Sequence, residues 1–504
     1  MIHPRRLKAT SGNIARYYTV GDYYTKGGEE PSEWGGKLAP ELGLSGKVDP
    51  HMFEELLAGR VAGQQLGRHR VGGEIQHHPG WDFAVNAPKS VSIMALVAGD
   101  ERIVAAHEQA VTTALDYLEE HAALRRRENG EIVHETTGRL LLARFTEHAS
   151  RELDPHLHTH VVVLNMTNGG EGAPMASLET RAMFAEQMVA GQIYRNELAH
   201  TLREQGFGID FDPRRGLFEI TGVPKDFIRE TSQRAEQIDA HAREHGLTGQ
   251  AARRASFYQT RGAKAKIGLD ELQGQWTERA RPYAEDLARV QAKAADRSGE
   301  QTEPDPFTAS RAALFGIRQA ETREAVTNLG TLYRYALASH VGEVRFSDIR
   351  PLIAGHEERR KLLATRAQTG DQVLARGRTT RRSARLEQAL VRELALALDD
   401  ARPIASSGRL LDVLEGAGLT PAQERALVTL GLSRDRVTGL HGVAGAGKSM
   451  LVQVLKEAAE PGTQFVALAP TSSAAANLGK SAGVESRTVA SLLASGGHGL
   501  TDVH

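Results

Sequence analysis

The chain has 504 residues, 62 Lys plus Arg against 63 Asp plus Glu (62 − 63 = −1), and no cysteine. That length predicts two to four domains. The balanced charge excludes a uniformly basic nucleic-acid binder, and the missing thiols exclude disulfides, thiolate zinc fingers and cysteine nucleophiles. The 20 histidines therefore become the main candidates for metal chemistry. The N-terminus has no apolar core of a secretory signal and no run reaches the ~18 apolar residues of a spanning helix, so a cytoplasmic protein without membrane insertion is expected.

Taken in chain order, the first feature is a cluster of phenols. Four of the ten tyrosines, Tyr17, Tyr18, Tyr23 and Tyr24, lie within eight residues. A phenol titrates near ~10 and is a poor nucleophile until a base or metal favours phenolate. Two activated phenols would permit two successive phosphodiester transfers; aromatic core contacts on one helix are the other reading. WDFAV at 81–85 predicts a strand with Trp81, Phe83 and Val85 on one face and Asp82, Ala84 and Asn86 on the other. Asp82 is then either an edge charge or a placed base. Lys89, just after Pro88, could meet a phosphate as a point charge. Residues 101–124 predict a helix whose stripe carries Ile103, His107, Val111, Leu115 and Leu118.

At 156–165, after a turn at Asp154-Pro155, a strand places His156, His158 and His160 on one face. The outer two would be ~13 Å apart along a regular strand. Without a bulge, then, two of them and a ligand from elsewhere, Glu147 or His148, would make a Lewis-acid site. Residues 208–220 read as a hairpin, 225–300 as polar helices, 298–307 as a linker, and 308–400 as mostly helical. The run at 376–385 holds five Arg and no acid, which suits either a solvated helix start or a nucleic-acid contact.

From 419 a second α/β pattern begins. Residues 442–449 fit G-x-x-x-x-G-K-[ST], with Gly442, Gly445, Gly447, Lys448 and Ser449 in the phosphate-loop places. VTGLH at 437–441 is the expected strand before it and 449–460 the expected helix after it. Backbone N–H groups would cradle phosphates, Lys448 would reach the β and γ phosphates, and Ser449 would bind Mg²⁺ of an ATP/Mg²⁺ pair.

The order YY…YY, GWDFAVNAPKSVS and SRELDPHLHTHVVVLN resembles the MobF-type (TrwC/TraI-like) conjugative relaxases over roughly residues 1–300. The resemblance implies an α+β relaxase domain with an antiparallel sheet of the HUH endonuclease kind. It implies Tyr17 as leading nucleophile with Tyr18, Tyr23 and Tyr24 as the others of the set, and Asp82 as the group that orients or deprotonates the tyrosine. It further implies His158 and His160 as ligands of a divalent metal; a carboxylate among the ligands, as Glu147 would be, suits Mg²⁺ or Mn²⁺, with other ions left open. In the family's F-x-H-x-x-S-R pattern this chain has Glu147 at the histidine place, His148 one step along, and Arg151 at the end; Arg151 and Lys89 are the expected DNA contacts. LTPAQERAL at 419–427 is similar to the adenine-reading motif of superfamily 1 helicases, with Gln423 as reader, and 465–478 to their motif Ia.

The expected organisation is a relaxase at 1–300, a mostly helical segment at 308–405 and a partial P-loop, RecA-like lobe at 406–504. The sequence stops before a second lobe or an arginine finger, so nucleotide binding without processive unwinding is expected. The resulting expectation is a bacterial relaxase that nicks and rejoins one strand of DNA at a plasmid transfer origin through a 5′-phosphotyrosyl intermediate. Its implied partners are that single-stranded DNA, a type IV secretion coupling protein and relaxosome accessory proteins. A rolling-circle replication initiator and a non-catalytic DNA-binding remnant are the alternatives.

Overall fold

Unbroken apolar runs such as 140–143 and 161–164 build a sheet that is buried on both faces. The computed structural model describes residues 2–8, 11–19, 31–69, 75–128, 130–249, 255–257, 259–260, 267–298, 305, 307–369, 372–443 and 445–496. Five strands, β1 (Ile2–Arg6), β2 (Ser32–Gly35), β3 (Gly80–Asn86), β4 (Leu142–Ala149) and β5 (Pro155–Leu164), form one sheet in the order β1-β3-β5-β4-β2. Every neighbouring pair is antiparallel.

Each face of this sheet has its own core. Phe83, Val85, Leu142, Leu157, Val161 and Val163 point into the larger one. Helices α2 (Glu101–Glu119) and α3 (Gln187–Glu204) contribute to it. The predicted stripe of Ile103, His107, Val111, Leu115 and Leu118 is buried there throughout. Ala143, Phe145, Val162 and Leu164 point the other way, into a smaller core with Ile14 and Tyr18 of helix α1 (Ser11–Thr19) and with Phe53. Removing one of the large side chains would cost about 3–5 kcal/mol, transfer and cavity together. The predicted hairpin forms as Ile209–Asp212 against Leu217–Ile220, and helices Gln233–Glu244, Leu269–Ala280 and Ala284–Arg297 occupy the region read as helical.

The chain divides into two compact units, residues 1–381 and 382–504. The cores therefore do not separate at the linker expected near 298–307. Ala312, Leu332, Leu337 and Ile349 are buried in the same cluster as Phe83 and Val163. Helix Leu329–Ser339 lies on α3, where Asn196 Nδ2 donates to the carbonyls of Leu337 and Val344 at 3.0 Å each. Residues 308–400 are mostly helical, as read, with an antiparallel hairpin, Leu362–Thr369 against Gln372–Thr380. The arginine run thus spans a strand end and the start of helix Arg381–Leu396.

The second unit has a small core of Ala405, Leu410, Leu427, Leu451, Val454, Leu455 and Ala458. Helix Lys448–Ala458 forms where the P-loop pattern predicts it, and strand Val466–Ala469 falls within the motif at 465–478; its parallel partner Glu485–Thr488 was not read from the sequence. Residues 437–441, expected as a strand, are not one: none of the described strands offers them backbone partners. No helix among the described residues is long and apolar enough to cross a membrane.

Candidate active site

The pleat that buries Phe145 and Val162 also turns polar residues toward the end of the same face. Glu147 of β4 pairs with His158 of β5, and His158 with Asn86 of β3; His160 lies opposite Phe145 and Ala84. His158 Nε2 is 3.5 Å from Glu147 Oε2, and His160 Nε2 is 3.9 Å from Glu147 Oε1. One ligand atom from each of Glu147, His158 and His160 falls within 4.8 Å of the others. His148 is not in this group. Alternation along β4 turns it to the opposite face from Glu147, and burial with nearby His158 pushes its imidazole down.

Backbone and carboxylate partners fix both imidazoles. His158 Nδ1 donates to His156 O at 2.9 Å, which leaves Nε2 toward Glu147. His160 Nδ1 donates to Asp82 Oδ1 at 2.8 Å, the carboxylate–histidine arrangement that orients metal ligands. Burial works against charge on His160, yet Asp82 and Glu147 outweigh it and lift the imidazole to about 9. The same exchange holds both carboxyls below their ordinary range. Burial alone would raise Asp82, but His160 and the Tyr18 hydroxyl lower it further; burial would raise Glu147, but His158 and His160 lower it further. The site therefore keeps two buried carboxylates, 4% and 5% exposed, beside imidazoles aimed by their partners. An oxygen and two nitrogens around buried negative charge fit a divalent cation.

The third histidine stands apart. Between Glu147–His158 and Ala149–Pro155 the pairing shifts by one residue, so β5 carries a bulge at 156–157. His156 stacks on His158 at 4.6 Å between ring centroids but commits Nε2 to Asn86 Oδ1 at 3.1 Å. Burial and His158 push it well below the ordinary range. The turn before it is held from outside the sheet. Leu153 takes φ +61°, its carbonyl accepts from Trp276 Nε1 at 2.7 Å, and buried Asp154 accepts from Gln233 and Arg279. Arg151 lies half-buried in that turn. Lys89, expected on a phosphate, turns inward instead: its Nζ donates to Pro155 O at 2.9 Å, and burial lowers it to about 8.

The tyrosines differ by environment. Tyr18 is buried, stacks on Phe145 at 5.1 Å and donates to Asp82; burial and the Asp82 charge hold its phenol well above the ordinary range. Tyr17 sits half-buried at the edge of the same core, its ring 4.8 Å from that of Tyr18. Asp82 thus bonds the second tyrosine of the pair. Tyr23 and Tyr24 lie outside the described residues.

Sequence reading missed a cleft of about 1160 Å³ that starts along β1. Arg6, Lys8, Arg60, Arg68 and Arg125 line it with His77 and His78, and no acid is among its described lining residues. These cations are scattered over 120 residues of sequence, and only the fold collects them.

The described residues of the phosphate loop carry its glycine turns. Gly445 and Gly447 take φ +81° and +78°, and a Cβ on Gly447 would meet Gln423 Nε2 at 2.6 Å. Gln423 Nε2 donates to Ala446 O at 3.0 Å. Lys448 Nζ folds back on the carbonyls of Gly442 and Val443 at 2.7 and 2.9 Å, and half-exposed Ser449 follows it on the helix.

Comparison with known proteins agrees with this geometry. The TrwC relaxase family profile matches residues 11–283, and an AAA domain profile matches 418–503. The multifunctional conjugation protein TraI of Escherichia coli is 32% identical over 338 residues, and that of strain K12 is 30% identical. Each match takes in 64% of this chain, which spans about a fifth (19%) of those curated relatives. Solved structures of the conjugative relaxase TrwC with oriT DNA, metal-free and metal-bound, are 33% identical with TM-scores of 0.51. They cover 56% of this chain and 99% of their own. Because the relaxase profile spans more than half of the chain and the paired tyrosines, Asp82 and the histidine strand meet on one face of the sheet, the chain belongs to the TrwC relaxase family.

Proposed function

We propose that this chain cuts one DNA strand at a transfer origin by transesterification and later rejoins it. The phenol of Tyr17 loses its proton to water and its oxygen attacks the scissile phosphorus; the bond to the 3′ oxygen breaks, and that oxygen takes up a proton from water to leave as a 3′ hydroxyl. The ester energy stays in a 5′-phosphotyrosyl link, so rejoining needs no ATP. The observation that carries this reading is the convergence of Glu147, His158 and His160 beside the Tyr17–Tyr18 pair. When bound by those three residues, a divalent cation supplies Lewis-acid polarisation of the phosphodiester. Glu147 in the place of a histidine favours Mg²⁺ or Mn²⁺, since carboxylates suit hard cations. Asp82 orients: it fixes His160 through Nδ1 and, through Tyr18, the ring against which Tyr17 rests.

The basic cleft suits the phosphates of the single-stranded substrate, which side-chain cations position without reading sequence. Catalysis belongs to residues 1–300, with 308–381 as a layer that completes its core; residues 406–504 hold ATP/Mg²⁺ through Lys448, Ser449 and Gln423. The reaction places the protein in a bacterial cytoplasm, where a type IV secretion coupling protein and relaxosome accessory proteins are its partners. The test is cleavage of a single-stranded transfer-origin oligonucleotide. Tyr17→Phe should abolish the covalent adduct, and EDTA should stop cutting while leaving most of the binding. An adduct mapped outside residues 17–24 would refute the assignment.

A further inference from the structure

The reverse face of the histidine strand carries buried polar groups that the chemistry above does not use. His107 of α2 is fully buried with both ring nitrogens engaged: Nδ1 lies 2.7 Å from Tyr194 Oη and Nε2 lies 3.0 Å from Thr159 Oγ1. Thr159 Oγ1 is also 3.1 Å from Thr146 Oγ1. In the β4–β5 register Thr146 faces Thr159, immediately beside the pair Glu147 and His158. Thr159 separates His158 from His160, and Thr146 precedes Glu147. Alternation therefore puts the three candidate ligands on one face and the two threonines on the other.

Polar groups this deep are costly unless bonded, and four apolar side chains would fill the same space more cheaply. What an apolar filling lacks is direction. Burial, reinforced by His158 and His148, pushes His107 down to about 3, so the ring stays neutral. Whichever nitrogen carries the proton, one N–H and one lone pair point at fixed partners. Tyr194 of α3 anchors one end and the two strands hold the other, so a slide or tilt of β4 on β5 breaks the chain of bonds.

We propose that His107 is a positioning residue for the metal centre: through Thr159 and Thr146 it sets, from the opposite face of the sheet, the spacing of Glu147, His158 and His160. This rests on the reading of those three residues as the metal-holding set.

The test compares His107→Leu, His107→Gln and Thr159→Val in the full chain. It reads Mn²⁺ affinity by calorimetry, the imidazole ¹⁵N shifts of His158 and His160 in metal-free protein, and the melting temperature. His107→Leu and Thr159→Val should each weaken Mn²⁺ binding about tenfold, the low end for a partner behind a ligand, and should move both imidazole shifts. His107→Gln, which keeps a donor and an acceptor, should recover most of both. A lower melting temperature with unchanged shifts and affinity would overturn the proposal and leave His107 a stabilising residue only. Should His107→Leu fail to fold, Thr159→Val decides alone, because it changes one oxygen at constant shape. If the unaltered chain binds no Mn²⁺ while the shifts still respond to His107→Leu, the metal reading falls and the positioning role stands.

Discussion

On the function proposed above, the two units solve the same problem, aiming polar groups at a phosphate, by opposite means. In the first, Glu147, His158, His160 and Asp82 stand on strands whose other residues are locked into a core on each face of the sheet. Their aim depends on register, and register depends on packing on both sides. In the second, the phosphate-binding groups are a loop's own backbone and the first turn of helix Lys448–Ala458. Lys448 is exposed, and the core beneath is small. A phosphate loop needs glycines and a helix N-terminus, so little tertiary structure makes it; a site of strand side chains needs the whole domain.

That contrast can be broken at several points. The largest effect belongs to His158→Ala with His160→Ala, which should lower oligonucleotide cleavage by on the order of 10³, the scale lost with a main electrostatic stabiliser. Lys448→Ala should leave cleavage unchanged in the same assay, and equal losses would show the units to be chemically linked. Next comes stability. Phe83→Ala should cost about 3–4 kcal/mol in denaturant unfolding of the first unit, and Leu455→Ala about 2 kcal/mol in the second, whose smaller core can relax more. A larger cost at Leu455 would contradict the packing comparison.

A smaller change is expected from Glu147→His. Three imidazoles should shift preference from Mn²⁺ toward softer divalent ions by about tenfold, read by competition titration. Of similar size is Gly447→Ala, about 1–2 kcal/mol from the left-handed φ alone. It also crowds Gln423, so ATP binding should fall while cleavage stays as it was.

Much of this was legible in sequence because it obeys local periods. The faces of β3, the stripe of α2 and the P-loop helix follow from alternation, the 3.6-residue repeat and glycine spacing. What escaped depends on pairing. Glu147 and His148 could not be told apart until Thr146 was seen opposite Thr159. The bulge beside His156 arises only between strands. Lys89 reads as an exposed cation after a proline, yet the partners that draw it inward, Asp154 and Glu219, lie 65 and 130 residues away. His107 counted as one more member of an apolar stripe, and nothing local hinted that both nitrogens were spent. The join of 308–381 to the first core was hidden because 298–307 has a linker's composition whether or not the chain folds back.

The two-sided use of β5 has a consequence for how such a gene can change. With candidate ligands on one face and threonine on the other, inserting or deleting a single codon between 156 and 163 would put Thr159 among the ligands and a histidine under the sheet. Length variation among natural or engineered descendants should therefore be admitted in exposed loops such as the hairpin turn at 213–215, while the strand itself tolerates only substitutions, and the turn before it, pinned by Trp276, Gln233 and Arg279, tolerates little more.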